Sequence, residues 1–362
     1  MNEDHAPDQR QPELPPGTPA PKPAAPIQLR NYLPFRLPWP ILAGAGVGLV
    51  LRLFFSAAPG HAYSAMAGSF ILLAPIAVGA VTVYAAERQQ RRSWGYYFFA
   101  PFLANVLFVV GTLLILIEGW ICAILIIPLF ATLGALGGLA MGAICRWTRW
   151  PKHATYSVAV LPLLLGAFEP GTGLPQRLDD VERTVTIAAP PAEVWKQIHH
   201  ADAIRPEEID RGWMYRIGVP LPVSGLTEDT AEGRVRRIRM GKGIRFDQVA
   251  TEWVPERRVV FRYRFSEDSI PPRALDDHVR IGGDYFDLGD TVYTLEPVGD
   301  ATRLTLQMRY RVSTRFNWYA EPLAKLLIGN FEDTALAFYR RRSEAAAEAA
   351  GPEAPAARHP AR

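Results

Sequence analysis

Cysteine is almost absent from this chain of 362 residues, which has only two. Cys122 and Cys145 both lie in apolar runs, so the C-terminal half has no thiol for a disulfide framework or a thiolate metal site. Neither sign of charge predominates, because the formal net charge is only +3. Such a balance does not indicate a nucleic-acid partner. We therefore expect no nucleic acid, no metal and no organic cofactor.

The familiar catalytic motifs are missing as well. The sequence has no HExxH, no CxxC pair, no nucleophile elbow around a serine and no phosphate-binding loop. Gly44, Gly46 and Gly48 imitate such a loop, but no strand precedes them. These absences weigh against an enzyme without excluding one, since acid–base chemistry needs only a shaped pocket and one or two proton-transfer groups.

Charged residues are sparse between Leu37 and Phe168, and this region is apolar enough to be a membrane domain. A helix needs about 20 apolar residues to cross a bilayer. Four runs reach that length, namely 39–58, 62–86, 96–117 and 120–145. A fifth run, 154–168, is shorter and contains Pro162, so it either crosses thinly or does not cross. We expect an all-α bundle of four or five transmembrane helices over 37–168.

Basic residues indicate the orientation of this bundle. They cluster after the second and fourth runs, and the clusters are Arg88, Arg91 and Arg92, then Arg146, Arg149 and Lys152. The positive-inside rule places them and the N-terminus in the cytoplasm of a multi-pass inner or plasma membrane protein. The fifth run then decides the side of the C-terminal domain, and the acidic residues that follow it favour the outer face. Arg52 and Glu118 approach the same leaflet, so they can pair.

Glycines repeat at four-residue spacing in the fourth run, at Gly134, Gly138 and Gly142. Such spacing lets helix backbones approach closely. It indicates packing within the bundle, and the alternative is self-association through the same residues.

The remaining segments differ sharply in composition. Residues 1–36 are rich in proline, alanine and charge, and we predict a disordered tail there. Residues 169–180 are predicted to be a linker, and 346–362 the end of a helix followed by a second disordered tail. Residues 181–345 form the predicted C-terminal domain.

This C-terminal domain begins with a predicted strand over 181–189 and a helix bearing Trp195. Alternating apolar and charged residues then predict further strands. These lie near 213–219, 233–240, 243–253, 257–266, 278–288, 291–297 and 303–312. The short gaps indicate an antiparallel meander. From 318 to 349 the apolar residues take a helical period, and we expect this helix to cover the sheet.

The segment Val185-Thr-Ile-Ala-Ala-Pro-Pro-Ala-Glu-Val-Trp195-Lys-Gln-Ile198 resembles the opening of the START-like superfamily. This superfamily is also called SRPBCC, the polyketide cyclase/dehydrase and lipid-transport or Bet v 1-like group. The resemblance covers 181–345 and implies a helix-grip fold, a curved antiparallel sheet around a long C-terminal helix. It also implies a cavity for lipids, polyketides or other apolar molecules, and no shared catalytic residue.

The resemblance and the membrane domain together predict a membrane-anchored protein that binds a hydrophobic small molecule or lipid. The alternatives are a polyketide cyclase or dehydratase, and a membrane sensory or scaffold protein. Candidate cavity residues are Phe246, Trp253, Phe261, Tyr263, Tyr285, Tyr293, Met308, Tyr310, Leu327 and Phe331. Candidates for contact with anionic lipid headgroups are Arg236, Arg237, Arg239 and Lys242. Candidates for an acid–base pair are Asp276, Asp277, His278, Asp284, Tyr285 and Asp287.

Overall fold

The computed structural model describes residues 39–59, 61–148, 157–169, 173–209 and 212–351. The predicted N-terminal tail lies outside these residues, as do Arg149 and Lys152 and the last part of the predicted C-terminal tail. The described residues form a bundle of apolar helices followed by a sheet with a long helix.

Five helices make up the bundle within the described residues. They are α1 (Trp39–Phe54), α2 (Ala74–Glu87, preceded by a π-helical turn over Ser69–Leu73), α3 (Trp94–Leu114), α4 (Trp120–Trp147) and α5 (Ser157–Ala167). Three helical segments, Ser69–Glu87, α3 and α4, are long and apolar enough to cross a membrane. The 16 residues of α1 span about 24 Å and the 11 of α5 about 16 Å, against about 30 Å of hydrocarbon. Both are therefore shorter than the runs predicted for them.

Small residues bring α2, α3 and α4 into close contact. A Cβ atom added to Gly79 of α2 would lie 1.9 Å from the carbonyl oxygen of Gly134. Gly138 packs on Pro101, and Gly142 packs on the ring of Tyr97. The predicted packing within the bundle is confirmed. The alternative of self-association is not supported, since α2 and α3 already cover the three glycines of α4.

The C-terminal domain is an eight-stranded antiparallel sheet in the order β1-β8-β7-β6-β5-β4-β3-β2. The strands are β1 (Gln176–Ile187), β2 (His200–Ala201), β3 (Pro222–Thr230), β4 (Gly233–Met240), β5 (Arg245–Val254), β6 (Arg258–Arg264), β7 (Phe286–Val298) and β8 (Ala301–Ser313). Short helices α6 (Pro191–His199), α7 (Pro206–Ile209) and α8 (Trp213–Arg216) follow β1, and α9 (Asn317–Ala350) ends the domain. The sheet curls around α9, so the predicted helix-grip architecture is confirmed.

The alternation in β8 explains how the sheet holds this helix. Leu304, Leu306, Met308, Tyr310 and Val312 are all buried, and the intervening positions carry polar or charged side chains. The apolar face of β8 joins the same core as Val181 of β1 and as Ile328, Leu336 and Phe338 of α9. Burial of these side chains, at roughly 25 cal/mol per Å², fixes the long helix on the sheet.

One predicted strand is a helix. Residues 213–219 form α8 and a turn, because the backbone N–H of Met214 donates to Asn330 Oδ1 at 3.1 Å and Gly218 takes a φ of +113°. The strand at this place in the sheet is β3, which no prediction included. Its sequence, PVSGLTEDT, has no apolar alternation, since its two buried positions are Ser224 and Gly225.

Two other predicted strands, 278–288 and 291–297, correspond to a single strand. The segment 286–298 continues through Gly289-Asp290 as β7, with an irregular register between Leu288 and Thr291 where a turn was expected. Residues 278–285 are not part of it. They lie in a loop that begins with a 3₁₀ turn over Asp277–Val279. This loop carries His278 toward the bundle.

Candidate ligand cavity between the sheet and the bundle

A cavity of ≈ 290 Å³ lies where the concave face of the sheet meets the helix bundle. Its bundle side is formed mainly by the apolar side chains of Met66, Phe70, Phe108, Ile121 and Phe130. Phe108 and Phe130 stack with their ring centroids 5.8 Å apart, and Phe70 meets both rings edge-on. The bundle therefore forms one wall of the cavity rather than serving only as an attachment.

The other wall comes from the sheet and α9. It includes six of the ten residues predicted for a cavity, and these are Phe246, Tyr263, Tyr285, Met308, Leu327 and Phe331. Ile244, Leu288 and Leu323 also contribute to this side. Almost all of this lining is apolar, as is typical of small-molecule sites.

The other four predicted residues lie away from this cavity. The ring of Trp253 packs against Trp195 at 5.0 Å and against His199 at 4.4 Å. Phe261 and Tyr293 belong to the core between the sheet and α9. The hydroxyl of Tyr310 donates to Asp179 Oδ2 at 3.3 Å.

Arg236 lies inside the domain, with only 4% of its surface exposed. Its Nη2 donates to the hydroxyl of Tyr339 at 2.8 Å, and its Nη1 lies 3.4 Å from Gln248 Oε1 and 3.5 Å from the hydroxyl of Tyr293. Burial, together with the charge of Arg236, lowers the pKa of the neighbouring His199 to about 3, so this imidazole is neutral at pH 7. Arg236 cannot reach a lipid headgroup from this position.

The rest of that basic run is at the surface. Arg237 is exposed and lies 3.3 Å from Glu228, and Arg239 is exposed as well. Lys242 stands in the turn after β4 with a φ of +56°, and its Nζ lies 3.4 Å from the carbonyl oxygen of Gly218. Contact of these three residues with lipid headgroups stays a prediction. Arg236 differs because successive side chains of a strand point to opposite faces.

The cavity has a polar end where Arg52, Glu118 and His278 meet. Arg52 Nε donates to Glu118 Oε1 at 2.7 Å, which confirms the predicted pair. The other carboxylate oxygen, Oε2, lies 3.2 Å from His278 Nδ1. Burial raises the pKa of Glu118, but His278 and Arg52 outweigh burial and hold that pKa below its ordinary value. The carboxylate is therefore ionised at pH 7.

Further polar contacts join the loop after β6 to the bundle. Asp276 Oδ2 accepts a hydrogen bond from the backbone N–H of Cys122, in the first turn of α4, at 2.8 Å. Gly119 allows this approach, since a Cβ atom there would lie 1.4 Å from Asp276 Oδ1. The hydroxyls of Tyr285 and Ser64 are 3.1 Å apart. These bonds hold the loop against the helix ends.

Half of the predicted acid–base candidates thus meet at this junction. Asp276, His278 and Tyr285 face the bundle, whereas Asp277 and Asp284 are exposed and Asp287 bonds to the next backbone N–H. Sequence reasoning did not place Glu118 or Cys122 in a site. The one available signal was the pair of charges, at Arg52 and Glu118, within an apolar region.

Comparison with known proteins agrees with this fold. Residues 179–344 match the sequence model of a family described as polyketide cyclase/dehydrase and lipid transport. The C-terminal domain is a START-like domain of this family. No curated protein matches the chain.

Solved structures also resemble this START-like domain, although distantly. The Zhui aromatase/cyclase from Streptomyces sp. R1128 is 17% identical over 49% of this chain and 100% of its own, with a TM-score of 0.30. A START superfamily protein from Mycobacterium smegmatis is 15% identical over 47% of this chain and 98% of its own, with a TM-score of 0.31. The Mll3558 protein from Rhizobium loti is 19% identical over 44% of this chain and 99% of its own, with a TM-score of 0.26.

Proposed function

We propose that this protein is anchored in a membrane and binds a hydrophobic small molecule or lipid chain in the cavity between its START-like domain and its bundle. The observation that carries the proposal is the apolar lining, which comes from both parts of the chain. The cavity volume of ≈ 290 Å³ is close to the lower end of the range for small-molecule sites, about 300–1,000 Å³. This size suits one chain or a small ring system better than a whole two-chain lipid.

The ligand would come from the bilayer itself. Exposed apolar side chains surround the junction, with Leu114 at 78%, Leu116 at 74% and Trp120 at 67% on the bundle, and Trp318 at 61% on α9. Trp is favoured at the boundary between lipid and water, where its ring is half solvated. This arrangement supports a membrane surface at the level of the cavity. A ligand could then pass into the cavity without crossing water.

Contacts at the two ends of the bundle support an outer location for the START-like domain. Arg146 Nη2 donates to the carbonyl oxygen of Arg92 at 2.7 Å, so the basic residues after α2 and α4 gather at one end of the bundle. The domain contacts the opposite end, where Glu169 accepts from the backbone N–H of Gly68 at 2.7 Å and from Arg315 at 2.8 Å. The positive-inside rule puts the basic end in the cytoplasm. A reporter enzyme that is active only outside the cytoplasm should then be active when it is fused after Gly351. One that is active only in the cytoplasm should be inactive at the same position.

A variant that fills the cavity tests the binding proposal. Ala324 is buried on α9 and lines the cavity, whereas Ala345 is exposed on the same helix, so Ala324→Phe and Ala345→Phe form a matched pair. With full-length protein in nanodiscs, we would measure binding of the apolar dye N-phenyl-1-naphthylamine and its displacement by lipids extracted from the host. Ala324→Phe should weaken dye binding at least tenfold, about 1.4 kcal/mol, and the control should match the original protein. Equal binding by all three proteins would refute the proposal.

A second candidate is an acid–base enzyme that cyclises a poly-β-ketone. The observation that favours it is the His278–Glu118 pair at the polar end of the cavity, with Nδ1 and Oε2 at 3.2 Å. His278 would take a proton from a carbon between two ketones, the enolate would attack a third carbonyl carbon, and the alkoxide so formed would take that proton back from His278. Loss of the resulting hydroxyl together with a proton from the neighbouring carbon would then release water. If so, His278→Gln should abolish conversion of a linear poly-β-ketone mimic, whereas the exposed His200→Gln should convert it normally. An absence of conversion by the original protein would remove this candidate.

A further inference from the structure

We propose that Glu118, Cys122 and His278 form a binding site for Zn²⁺ or a similar divalent transition metal ion. One donor atom from each residue lies within 4.8 Å of the other two. Glu118 and Cys122 come from the bundle, and His278 comes from the loop of the START-like domain. The three donors also line the cavity, so a bound ion would stand between the bundle, the domain and the ligand.

The separations of the donors fit tetrahedral coordination. With metal–sulfur bonds of about 2.3 Å and metal–nitrogen or metal–oxygen bonds of about 2.0–2.1 Å, a tetrahedral site separates S from N by about 3.5 Å and N from O by about 3.4 Å. His278 Nδ1 lies 3.8 Å from Cys122 Sγ and 3.2 Å from Glu118 Oε2. Movements of a few tenths of an ångström would therefore bring these two pairs to tetrahedral separations, and the third pair, Cys122 Sγ and Glu118, lies within 4.8 Å.

The chemistry of the donors points to the same class of ion. Thiolate, imidazole and carboxylate together suit zinc and its neighbours, whereas Mg²⁺ and Ca²⁺ prefer oxygen alone. Arg52 occupies only Oε1 of Glu118 and leaves Oε2 directed at His278. Asp276, bonded to the backbone N–H of Cys122, adds negative charge beside the thiol. Such outer contacts orient metal ligands in known sites.

Two consequences follow from the position of the site. Because its ligands belong to both parts of the chain, a bound ion would tie the START-like domain to the bundle. Because only three protein ligands are present among the described residues, the fourth position would face the cavity and take a water molecule or an oxygen atom of the ligand. The alternative is a triad of hydrogen bonds without an ion, and the two differ in whether the thiol is ionised and bound to metal.

Metal content distinguishes these alternatives and does not depend on any activity. Full-length protein in detergent would be incubated with ZnSO₄, desalted and analysed for bound zinc. The matched variants are Cys122→Ser with Cys145→Ser as control, and His278→Gln with His200→Gln as control. We expect about one zinc per chain in the original protein and both controls, and at least a tenfold lower content in Cys122→Ser and His278→Gln. Less than 0.1 zinc per chain in the original protein, or equal zinc in all five, would overturn the proposal.

Cobalt gives a second, spectroscopic readout, which the original protein already provides. Co²⁺ bound in place of zinc should show the charge-transfer absorption of a thiolate ligand, and this absorption should be present in Cys145→Ser and absent from Cys122→Ser. The ion should also raise the thermal unfolding temperature of the original protein, while Cys122→Ser should unfold at the same temperature with and without it. A cobalt complex without thiolate absorption would mean that the ion binds elsewhere, and the proposal would fail.

Discussion

Glu332 is a carboxylic acid in the core of the START-like domain, and it should make the stability of the protein depend on pH. None of its side-chain surface is exposed, and within the described residues neither carboxyl oxygen has a hydrogen-bond partner at bonding distance. Burial raises the pKa of Glu332 to about 8, while the charge of Arg183 and the backbone of Met308 offset part of that rise. The acid is thus largely protonated in the folded protein at neutral pH.

The sign of the effect follows from the two states. When the chain unfolds, the pKa of Glu332 returns to 4.5, so between pH 4.5 and about 8 unfolding releases a proton. Stability from this group is therefore greatest below pH 4.5, falls as the pH rises to about 8, and is constant above that. At about 1.4 kcal/mol per pKa unit, the full loss is up to roughly 5 kcal/mol. Glu332→Gln keeps the shape of the side chain and removes this loss.

Thermal unfolding of the full-length protein in detergent, measured from pH 5 to pH 9, tests this reasoning. Other groups also titrate in this range, so the informative quantity is the difference in Tm between Glu332→Gln and the original protein. That difference should grow with pH by roughly 10 °C, since 1 kcal/mol corresponds to about 2–4 °C in a domain of this size. Asp333→Asn, which changes an exposed neighbour, should show no such growth. Parallel curves for the original protein and Glu332→Gln would refute the argument.

Two further predictions concern packing. Tyr339→Phe removes the hydroxyl that accepts from buried Arg236 at 2.8 Å and should cost about 1–3 kcal/mol, seen as a lower Tm; an unchanged Tm would contradict it. Gly79→Ala places a Cβ atom 1.9 Å from the carbonyl oxygen of Gly134 and should cost at least about 2 kcal/mol. Gly46→Ala, which meets nothing within 4 Å, should leave Tm unchanged or raise it, and equal losses in both glycine variants would contradict this prediction.

The sequence predicts those elements of the fold whose burial is regular. In β8 every second side chain is buried, so the alternation is visible without any knowledge of its partners. In β3 the alternation is absent, because its two buried residues, Ser224 and Gly225, are adjacent and are not large apolar residues, and its outer neighbour, β2, has only two residues. The irregular register in β7 is another feature that local sequence does not reveal, because Gly289-Asp290 is equally typical of a turn and of a bulge.

The side chains that line the cavity were only partly predictable, even where the strand that carries them was predicted correctly. Phe261 and Tyr263 are two residues apart on β6 and so share one face of the sheet. Tyr263 lines the cavity, whereas Phe261 is fully buried against Tyr293 in the core beneath α9. The two residues differ in their position along the strand relative to α9, which covers only part of the sheet at this point. That position depends on how α9 docks, which no local pattern specifies.

The bundle has a larger part in the site than an anchor needs. Without it, the cavity would lose the wall formed by Phe70, Phe108 and Phe130, and the apolar side chains of Leu323 and Phe316 would face water instead. Apolar burial favours binding only to the extent that the free energy of the ligand is lower in the cavity than in the bilayer. A START-like domain without the bundle would offer an apolar ligand little more than lipid does, whereas the bundle adds an apolar wall on the side that the domain leaves open. If the cavity binds the proposed ligand, this wall adds to the affinity, and a movement of α4 against the domain should change it.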